Sequence, residues 1–319
     1  MTSPYSDLPY GAYWRTGVAE TNKTLWPDVF HPKFTISANT AIATAGSCFA
    51  QHIGRTLNAQ GLPVLDAEPA PDTLSVEDAK RLSYGIYSAR YGNIYTPRQL
   101  RELLSDAAEG RVHEDLFWEK DGRFFDALRP GIDPDGFDSL PAAMDQRHRH
   151  LEHVGQMVLD TDIFVFTLGL TEAWMDDRAG RVMALAPGVI AGHYDADRYR
   201  FHNFTFDELL DDLEAIFNAL KAIRPDIKLL LTVSPVPLTA TASGDHVLAA
   251  TTYSKSTLRA AAGEMYQKYS AVDYFPSYEL VTTWAQDIPA FEDNLRSVTP
   301  DMVNRVMSVF LAAHGIGAQ

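Results

Sequence analysis

A serine at a junction between a strand and a helix is the residue best placed to do chemistry in this sequence. The apolar run Thr40–Gly46 predicts a buried strand, and the residues from Ser47 to Gly61 have the apolar spacing of a helix. A hydroxyl at such a junction faces the edge of the sheet, where the first N–H groups of the helix stabilise negative charge. The pattern alone favours a helix N-cap for Ser47, with a nucleophile or an anion-binding residue as the functional alternative.

A thiol and a serine–lysine pair are the other reactive groups in suggestive positions. A thiol at a helix N-terminus can be nucleophilic, but lone cysteines are more often small buried residues, so Cys48 is predicted to pack between helix and sheet. A desolvated lysine can activate a neighbouring serine. Ser254 and Lys255 begin a predicted helix after a polar stretch, which favours a capping and surface role, with Lys255 and Arg259 as candidates to hold an anion.

Three histidines, His148, His150 and His153, lie close together in the sequence. On a helix the last two share a face and the first does not, and no acidic residue stands at the spacing of a zinc-protease motif. The cluster is therefore predicted to be a solvated helix face. A single cysteine excludes an internal disulfide and a cysteine-rich zinc or iron–sulfur site, and no metal or other cofactor is expected.

The composition bounds the class of protein. The chain has 319 residues, a formal net charge of −15 and 46% hydrophobic residues, which is typical of an acidic globular protein. The negative charge argues against binding to nucleic acid or to an anionic membrane, since both need a basic face. The N-terminus shows no leader peptide, the apolar windows are too short to span a bilayer, and one cysteine suits a reducing compartment. A cytoplasmic location is therefore predicted.

Short apolar runs alternate with helical patterns along the chain, which is typical of parallel βαβ units. We predict a three-layer α/β/α sandwich with a parallel five-stranded sheet. In such sheets ligands bind outside the carboxyl ends of the strands, so residues 45–48, 168–172, 233–235 and 276–279 should share one edge. The predicted strands are Thr40–Gly46, Leu62–Ala67, Ile163–Gly169, Lys228–Ser234 and Val272–Tyr278.

The helices have recognisable start and stop signals. Thr205 and Glu208 form a capping box, and Thr299 precedes a proline at the start of the last helix. One domain over residues 1–319 is predicted, with residues 1–39 as an N-terminal decoration and residues 110–140 as an insertion rich in glycine and proline. The predicted helices are Ser47–Gly61, Ser75 to about Arg90, Pro97 to about Ala108, about Asp138 to Leu159, Thr205 to about Arg224, Ser254–Tyr269 and one that begins after Thr299.

The five residues Gly46-Ser47-Cys48-Phe49-Ala50 spell the signature of the GSCFA family, a bacterial group that resembles a distant branch of the SGNH/GDSL hydrolases. Five more segments resemble the family in the same order, so the likeness covers most of the chain. It implies a flavodoxin-like sandwich and chemistry on an ester. These segments are Tyr91–Tyr95, Thr167–Trp174, Thr232–Val236, Ser254–Arg259 and Tyr274–Glu279.

The resemblance to SGNH enzymes implies a nucleophile and an oxyanion hole. Ser47 would attack the carbonyl carbon, and its own N–H would be one oxyanion donor. Gly92 matches the glycine donor of those enzymes, with Asn93 beside it as a side-chain donor. Thr171 stands where their asparagine is found, and its hydroxyl can still donate one hydrogen bond.

The histidine base of SGNH enzymes has no counterpart at the matching position. Those enzymes carry Asp-x-x-His in the last loop, and matching on Asp293 puts Arg296, which stays protonated, in place of the histidine. Asp293 would then orient a base that comes from elsewhere. His202 and His52 are candidates, and so are the carboxylates Glu172 and Asp293 if they are buried. Arg296 would otherwise bind an anionic ligand.

The resemblance implies an esterase or O-acyltransferase that acts on a small-molecule or carbohydrate ester, such as an acetylated sugar. A cytoplasmic location would favour a transferase with an activated acyl donor. The alternatives are a binding or scaffold protein that has kept the cleft without catalysis, and an acyl-CoA-dependent enzyme with Cys48 exposed in the cleft. Tyr278, Trp174 and Trp284 are candidate aromatic contacts near the same edge, with core packing as the structural alternative.

Overall fold

The part of the chain that the structure describes, residues 3–317 of a computed structural model, contains nine β-strands and eight α-helices. Short 3-10 turns lie at Tyr10–Ala12 and Glu114–Leu116, and a π-helical turn lies at Arg15–Ala19. The strands are β1 (Ile42–Gly46), β2 (Phe117–Lys120), β3 (Arg123–Asp126), β4 (Ile163–Leu168), β5 (Glu172–Asp176), β6 (Arg181–Met183), β7 (Tyr199–Asn203), β8 (Lys228–Val233) and β9 (Val272–Tyr274). The helices are α1 (Ala50–Ala59), α2 (Val76–Arg81), α3 (Pro97–Glu109), α4 (Leu140–Asp160), α5 (Phe206–Ile223), α6 (Val247–Lys268), α7 (Ser277–Thr282) and α8 (Pro300–Ala313).

Four of these strands form the central sheet in the order β1-β4-β8-β9, and all neighbouring pairs are parallel. Their residues are almost entirely buried because helices cover both faces of the sheet. Ala43 and Phe164 pack on one face with α3, α4, α5 and α6, whereas Ile42 and Val165 pack on the other with α1, α7 and α8. The predicted three-layer α/β sandwich with a parallel sheet is confirmed.

The fifth predicted strand, Leu62–Ala67, is wrong, since this segment makes a single bridge, between Val64 and Ile42. It lies along the free edge of β1, where the Ile42 N–H donates to the Pro63 carbonyl and the Leu65 N–H donates to the Ile42 carbonyl. Proline has no N–H with which to extend such a ladder. The sheet therefore has four strands instead of five.

Most helix boundaries follow the sequence signals. Thr205 and Glu208 form the predicted capping box of α5, and the Thr299 hydroxyl caps α8. The helix predicted to run to about Arg90 is wrong in length, because the backbone turns left-handed at Ser83 (φ 62°) soon after α2 ends. Among the helices of the described part of the chain, none is long and apolar enough to cross a membrane.

Two small antiparallel sheets lie outside the central one. β2 and β3 form a hairpin within the predicted insertion 110–140, and β6-β5-β7 form a second sheet that coincides with no predicted strand. Both contribute to one hydrophobic cluster that includes Trp118, Phe125 and Tyr199. Trp174, on β5, faces a cavity at the end of the central sheet. The second sheet therefore forms part of one wall of that cavity, and the hairpin packs against this sheet.

The central residue of the histidine cluster, His150, does not lie on a solvated helix face. His150 is fully buried, and its Nδ1 lies 2.7 Å from Oε2 of Glu68, so the prediction is wrong for this residue. Burial lowers the pKa of His150 to about 3, which keeps the ring neutral. His148 is exposed, as predicted. Residues 3–317 hold no group of three or more side chains that could bind a metal ion.

Candidate active site

Ser47 follows β1 and precedes α1, and its hydroxyl is unpaired. The side chain is 3% exposed, and Oγ has no hydrogen-bond partner within residues 3–317. The N-cap of α1 is Phe49, and no side chain caps that helix, so the N-cap interpretation of Ser47 is wrong. A buried polar atom without a partner costs about 1–3 kcal/mol, so each such atom needs an explanation. The Ser47 N–H, implied as an oxyanion donor, instead donates to the Thr167 carbonyl at 3.1 Å.

Two glycines allow the ends of β1 and β4 to approach each other around Ser47. Gly46 has φ of +137°, and a Cβ at this position would lie 2.4 Å from the Thr167 carbonyl oxygen. A Cβ at Gly169 would lie 2.9 Å from the Tyr95 carbonyl oxygen and 3.1 Å from the Ser47 Cβ. Real Cβ atoms do not come this close to a backbone oxygen, so both positions need glycine. The close backbone packing holds Ser47 at the end of the sheet.

A cavity of about 420 Å³ opens at the carboxyl ends of β1, β4 and β8, with Ser47 in its wall. Residues 47–48, 169–170, 172 and 234 line it, so three of the four segments predicted to share an edge do meet here. The fourth segment does not line this cavity, and Tyr278 is therefore absent from its wall. Trp284 lies away from the cavity and is 82% exposed.

Cys48 is exposed and lines the cavity, so its predicted packing between helix and sheet is wrong. Phe49, the N-cap of α1, is 1% exposed and packs in the core instead. A thiol and a hydroxyl on consecutive residues therefore line the same cavity. This placement meets the condition set for an acyl-CoA-dependent enzyme, in which Cys48 is exposed in the cleft.

Arg296 also lines the cavity, and Asp293 does not. The Arg296 Nε donates to the Pro237 carbonyl at 3.2 Å. Within the described residues its guanidinium has no carboxylate at ion-pair distance, and Asp293 is exposed to solvent instead. The structure therefore places a cation in the cavity that contains Ser47 and leaves the aspartate of the expected Asp-x-x-His motif outside it.

The other residues implied as oxyanion donors are engaged elsewhere. The buried Thr171 hydroxyl donates to Asn203 at 2.6 Å, and the Thr171 N–H donates to the Ser254 hydroxyl at 3.0 Å. The Asn93 amide donates to the Tyr95 hydroxyl at 3.0 Å. Gly92 has φ of +68° and lines a neighbouring pocket together with Asn93. Neither Thr171, Gly92 nor Asn93 lines the cavity that contains Ser47.

Tyr95 is a site residue that sequence reasoning missed. It lines both the main cavity and the neighbouring pocket, and its carbonyl accepts the N–H groups of Gly169 and Leu170, each at 2.9 Å. Its hydroxyl accepts a hydrogen bond from Asn93 and keeps its own proton to donate. Burial raises the pKa of this phenol, so it stays protonated. Asn93 therefore acts on the site through Tyr95.

Ser254 and Lys255 are buried, so their predicted surface role is wrong. α6 begins at Val247 rather than at Ser254, which moves both residues into the interior of the helix. The Lys255 Nζ donates to the Gly169 carbonyl at 2.7 Å. Burial lowers the pKa of Lys255 to about 7, and the nearby charge of Arg296 acts in the same direction.

The structure does not bring the candidate histidine bases to Ser47. The His202 Nε2 lies 2.8 Å from Glu208, at the start of α5. His52 is half-buried on α1, where burial lowers its pKa, and it does not line the cavity. Glu172 does line the cavity, and burial raises its pKa. Its carboxylate accepts a hydrogen bond from the Thr241 hydroxyl at 2.7 Å.

Comparison with known proteins identifies the family. Residues 41–310 match the model of the GSCFA family. The chain belongs to the GSCFA family. This confirms the family resemblance that its motifs imply. No curated protein matches the sequence.

Several solved structures are similar to this GSCFA chain at low identity. One is a carbohydrate esterase family 3 from Talaromyces cellulolyticus, with 10% identity over 85% of this chain and 94% of that one, at a TM-score of 0.35. Another is a family 3 carbohydrate esterase of Clostridium thermocellum, with 8% identity over 86% and 94% of the two chains, at a TM-score of 0.31. A third is the periplasmic domain of a lipopolysaccharide acetyltransferase from Salmonella ser. Paratyphi A, with 11% identity over 96% of each chain, at a TM-score of 0.35.

Proposed function

We propose that this GSCFA protein is a serine esterase or O-acyltransferase with Ser47 as its nucleophile. The observation that carries the proposal is the Ser47 hydroxyl, which is buried in the wall of a cavity and has no hydrogen-bond partner in the described part of the chain. The other buried hydroxyls without a partner in the described residues, those of Thr21 and Thr167, do not line this cavity, so Ser47 is the one such hydroxyl in its wall. Its position after a strand and before a helix suits attack on a carbonyl carbon.

We assign three kinds of donor at this cavity to the oxyanion. The first hydrogen bonds of α1 run from the N–H groups of residues 50–52, so the N–H groups of Cys48 and Phe49 stand at the helix N-terminus, where negative charge is stabilised. The Tyr95 hydroxyl, held by Asn93, is the second donor. The Arg296 guanidinium is the third, and it replaces the side-chain donor that Thr171 does not supply.

The cavity suits a small ester. A volume of about 420 Å³ is in the range of small-molecule sites, and apolar side chains such as Leu170, Leu185 and Val236 form much of the wall. Acyl groups pack against such a surface, and Arg296 would bind a polar or anionic part of the substrate or of an activated acyl donor. An acetylated carbohydrate is the substrate class that the resemblance to SGNH enzymes favours.

A second candidate function is ligand binding without catalysis. It is favoured by Arg296, a cation without a carboxylate partner in the described chain, and by the lack of a histidine hydrogen-bonded to Ser47 within residues 3–317. In that case Arg296 would hold an anionic ligand in a cleft that no longer reacts. The cytoplasmic location expected from the sequence stays a prediction.

Incubation with a fluorophosphonate tests the proposal. We expect one covalent adduct on the wild-type protein, located at Ser47 by peptide mass, and none on Ser47→Ala, because an ordinary serine hydroxyl is too weak a nucleophile to displace fluoride from phosphorus. Intact-mass spectrometry measures both proteins in parallel. Wild-type protein without an adduct would contradict the esterase proposal and favour the binding function.

Replacing the two candidate histidine bases should not change this reaction. Neither His52 nor His202 lines the cavity, and His202 is held by Glu208, so His52→Gln and His202→Gln should label at rates within about twofold of wild type. The measurement is the time course of adduct formation. A strong loss of labelling in either variant, with an unchanged melting temperature, would return that histidine to the role of base.

A further inference from the structure

Lys255 is buried with little to balance a positive charge. Its side chain is 1% exposed, and within the described residues Nζ has one hydrogen-bond partner, the Gly169 carbonyl, and no carboxylate at ion-pair distance. An ammonium group carries three donors, and burying it with a single acceptor is costly. The neutral amine needs fewer partners, and it offers a lone pair. Burial therefore favours the form of Lys255 that accepts a proton.

Gly169 lies next to both this amine and Ser47. Its carbonyl accepts from Lys255, and the position of its missing side chain is 3.1 Å from the Ser47 Cβ. A buried amine with a lone pair and a buried hydroxyl without a hydrogen-bond acceptor thus flank the same residue. The titratable groups that act on Lys255 are Cys48, which follows Ser47, and Arg296, which lines the cavity. Lys255 itself lies behind the cavity wall, and its Nζ bonds to the Gly169 carbonyl and not to the Ser47 Oγ in this structure. Transfer of the Ser47 proton to Nζ therefore requires Nζ to leave this carbonyl or a water molecule to bridge the two groups.

We propose that Lys255 is the general base that accepts the Ser47 proton, in the role that SGNH enzymes give to histidine. This inference rests on the proposed function of Ser47. It also accounts for Arg296 at the position of the histidine. Because α6 supplies the base, the last loop does not need a histidine. The positive charge of Arg296 also helps to keep the Lys255 amine neutral.

The reaction balances with groups that the site and the substrate supply. Nζ takes the Oγ proton as Oγ bonds to the carbonyl carbon of the ester. The tetrahedral intermediate then expels the alkoxide, which takes the proton from the Nζ ammonium and leaves as an alcohol, with the acyl group on Ser47. A water molecule or an acceptor alcohol gives its proton to Nζ as it attacks the acyl carbon. Ser47 leaves with that proton, and both residues regain their first state.

The test uses fluorophosphonate labelling rates as a function of pH, on wild-type protein and three lysine variants. The Met side chain in Lys255→Met keeps much of the length of lysine without the amine. Lys255→Arg keeps the charge and a donor for the Gly169 carbonyl, but arginine cannot act as a base. Lys268→Met is the matched control, because Lys268 lies on the same helix, in a surface ion pair with Glu214. Melting temperatures show whether each variant is folded.

We expect both Lys255 variants to label about 10²-fold or more slowly than wild type, and Lys268→Met to label normally. The wild-type rate should fall as the pH drops through about 7, since protonation removes the base. A folded Lys255→Arg that labels normally would show that Lys255 only holds Gly169, and a folded Lys255→Met that labels normally would show that the amine is not needed.

Either of those results would overturn the inference and leave Ser47 as the nucleophile, whereas wild-type protein that does not label would overturn the proposed function itself. If both Lys255 variants unfold, the pH dependence of the wild-type labelling rate tests whether the Lys255 amine is the base. A midpoint near pH 7 supports the amine, and a rate that does not change between pH 6 and 8 excludes it.

Discussion

Ser47→Ala should lower the rate of p-nitrophenyl acetate hydrolysis by a factor on the order of 10⁴, whereas Cys48→Ala should lower it by less than about tenfold. The two residues are adjacent and line the same cavity, so the comparison separates the hydroxyl from the thiol. Ser47 is buried, and its N–H is fixed on the Thr167 carbonyl, which orients it. Cys48 is exposed, and an exposed side chain at the start of a helix is less well oriented.

The same two variants serve as controls for each other. Removal of an unpaired hydroxyl breaks no hydrogen bond, so Ser47→Ala should melt at or above the temperature of the wild type. A loss of turnover in Ser47→Ala would then reflect chemistry and not folding. The opposite pattern, in which Cys48→Ala is inactive and Ser47→Ala is active, would establish a thiol enzyme and remove the role proposed for Ser47.

Features that depend on neighbouring residues in the sequence could be predicted. The strand before Ser47, the glycine that ends it and the helix after it are set by local apolar spacing, and the structure has each of them. The caps at Thr205 and Thr299 are local for the same reason. The α/β class follows because the alternation of strands and helices is itself a property of the sequence order.

Features that depend on distant residues could not be predicted. Lys255 is paired with the Gly169 carbonyl, 86 positions away, and His150 is paired with Glu68, 82 positions away. Nothing local in either segment shows that these side chains are buried. α6 begins at Val247, about two turns before the predicted start, so Lys255 lies in the helix interior and not at a solvated N-terminus. The site is therefore less predictable than the sheet that carries it.

Gly46→Ala should destabilise the protein by about 3–5 kcal/mol, because it combines a strained backbone with a steric clash. Gly46 has φ of +137°, which residues with a Cβ rarely adopt, and the new Cβ would lie 2.4 Å from the Thr167 carbonyl oxygen. That oxygen accepts the Ser47 N–H and cannot move without releasing the serine. Urea unfolding of the variant and of the wild type measures the difference in the free energy of unfolding.

Gly155→Ala is the matched control for this substitution. Gly155 lies in α4, and no atom lies within 4 Å of the position of an added Cβ, so alanine should be neutral or stabilise the helix by up to about 1 kcal/mol. A loss of less than about 1 kcal/mol in Gly46→Ala would show that β1 and β4 can separate at this point at little cost. The backbone would then not hold Ser47 rigidly, and a nucleophile needs a fixed position to react efficiently. A large loss would mean that the two strand ends fix Ser47 through backbone packing, before any side chain of the site contributes.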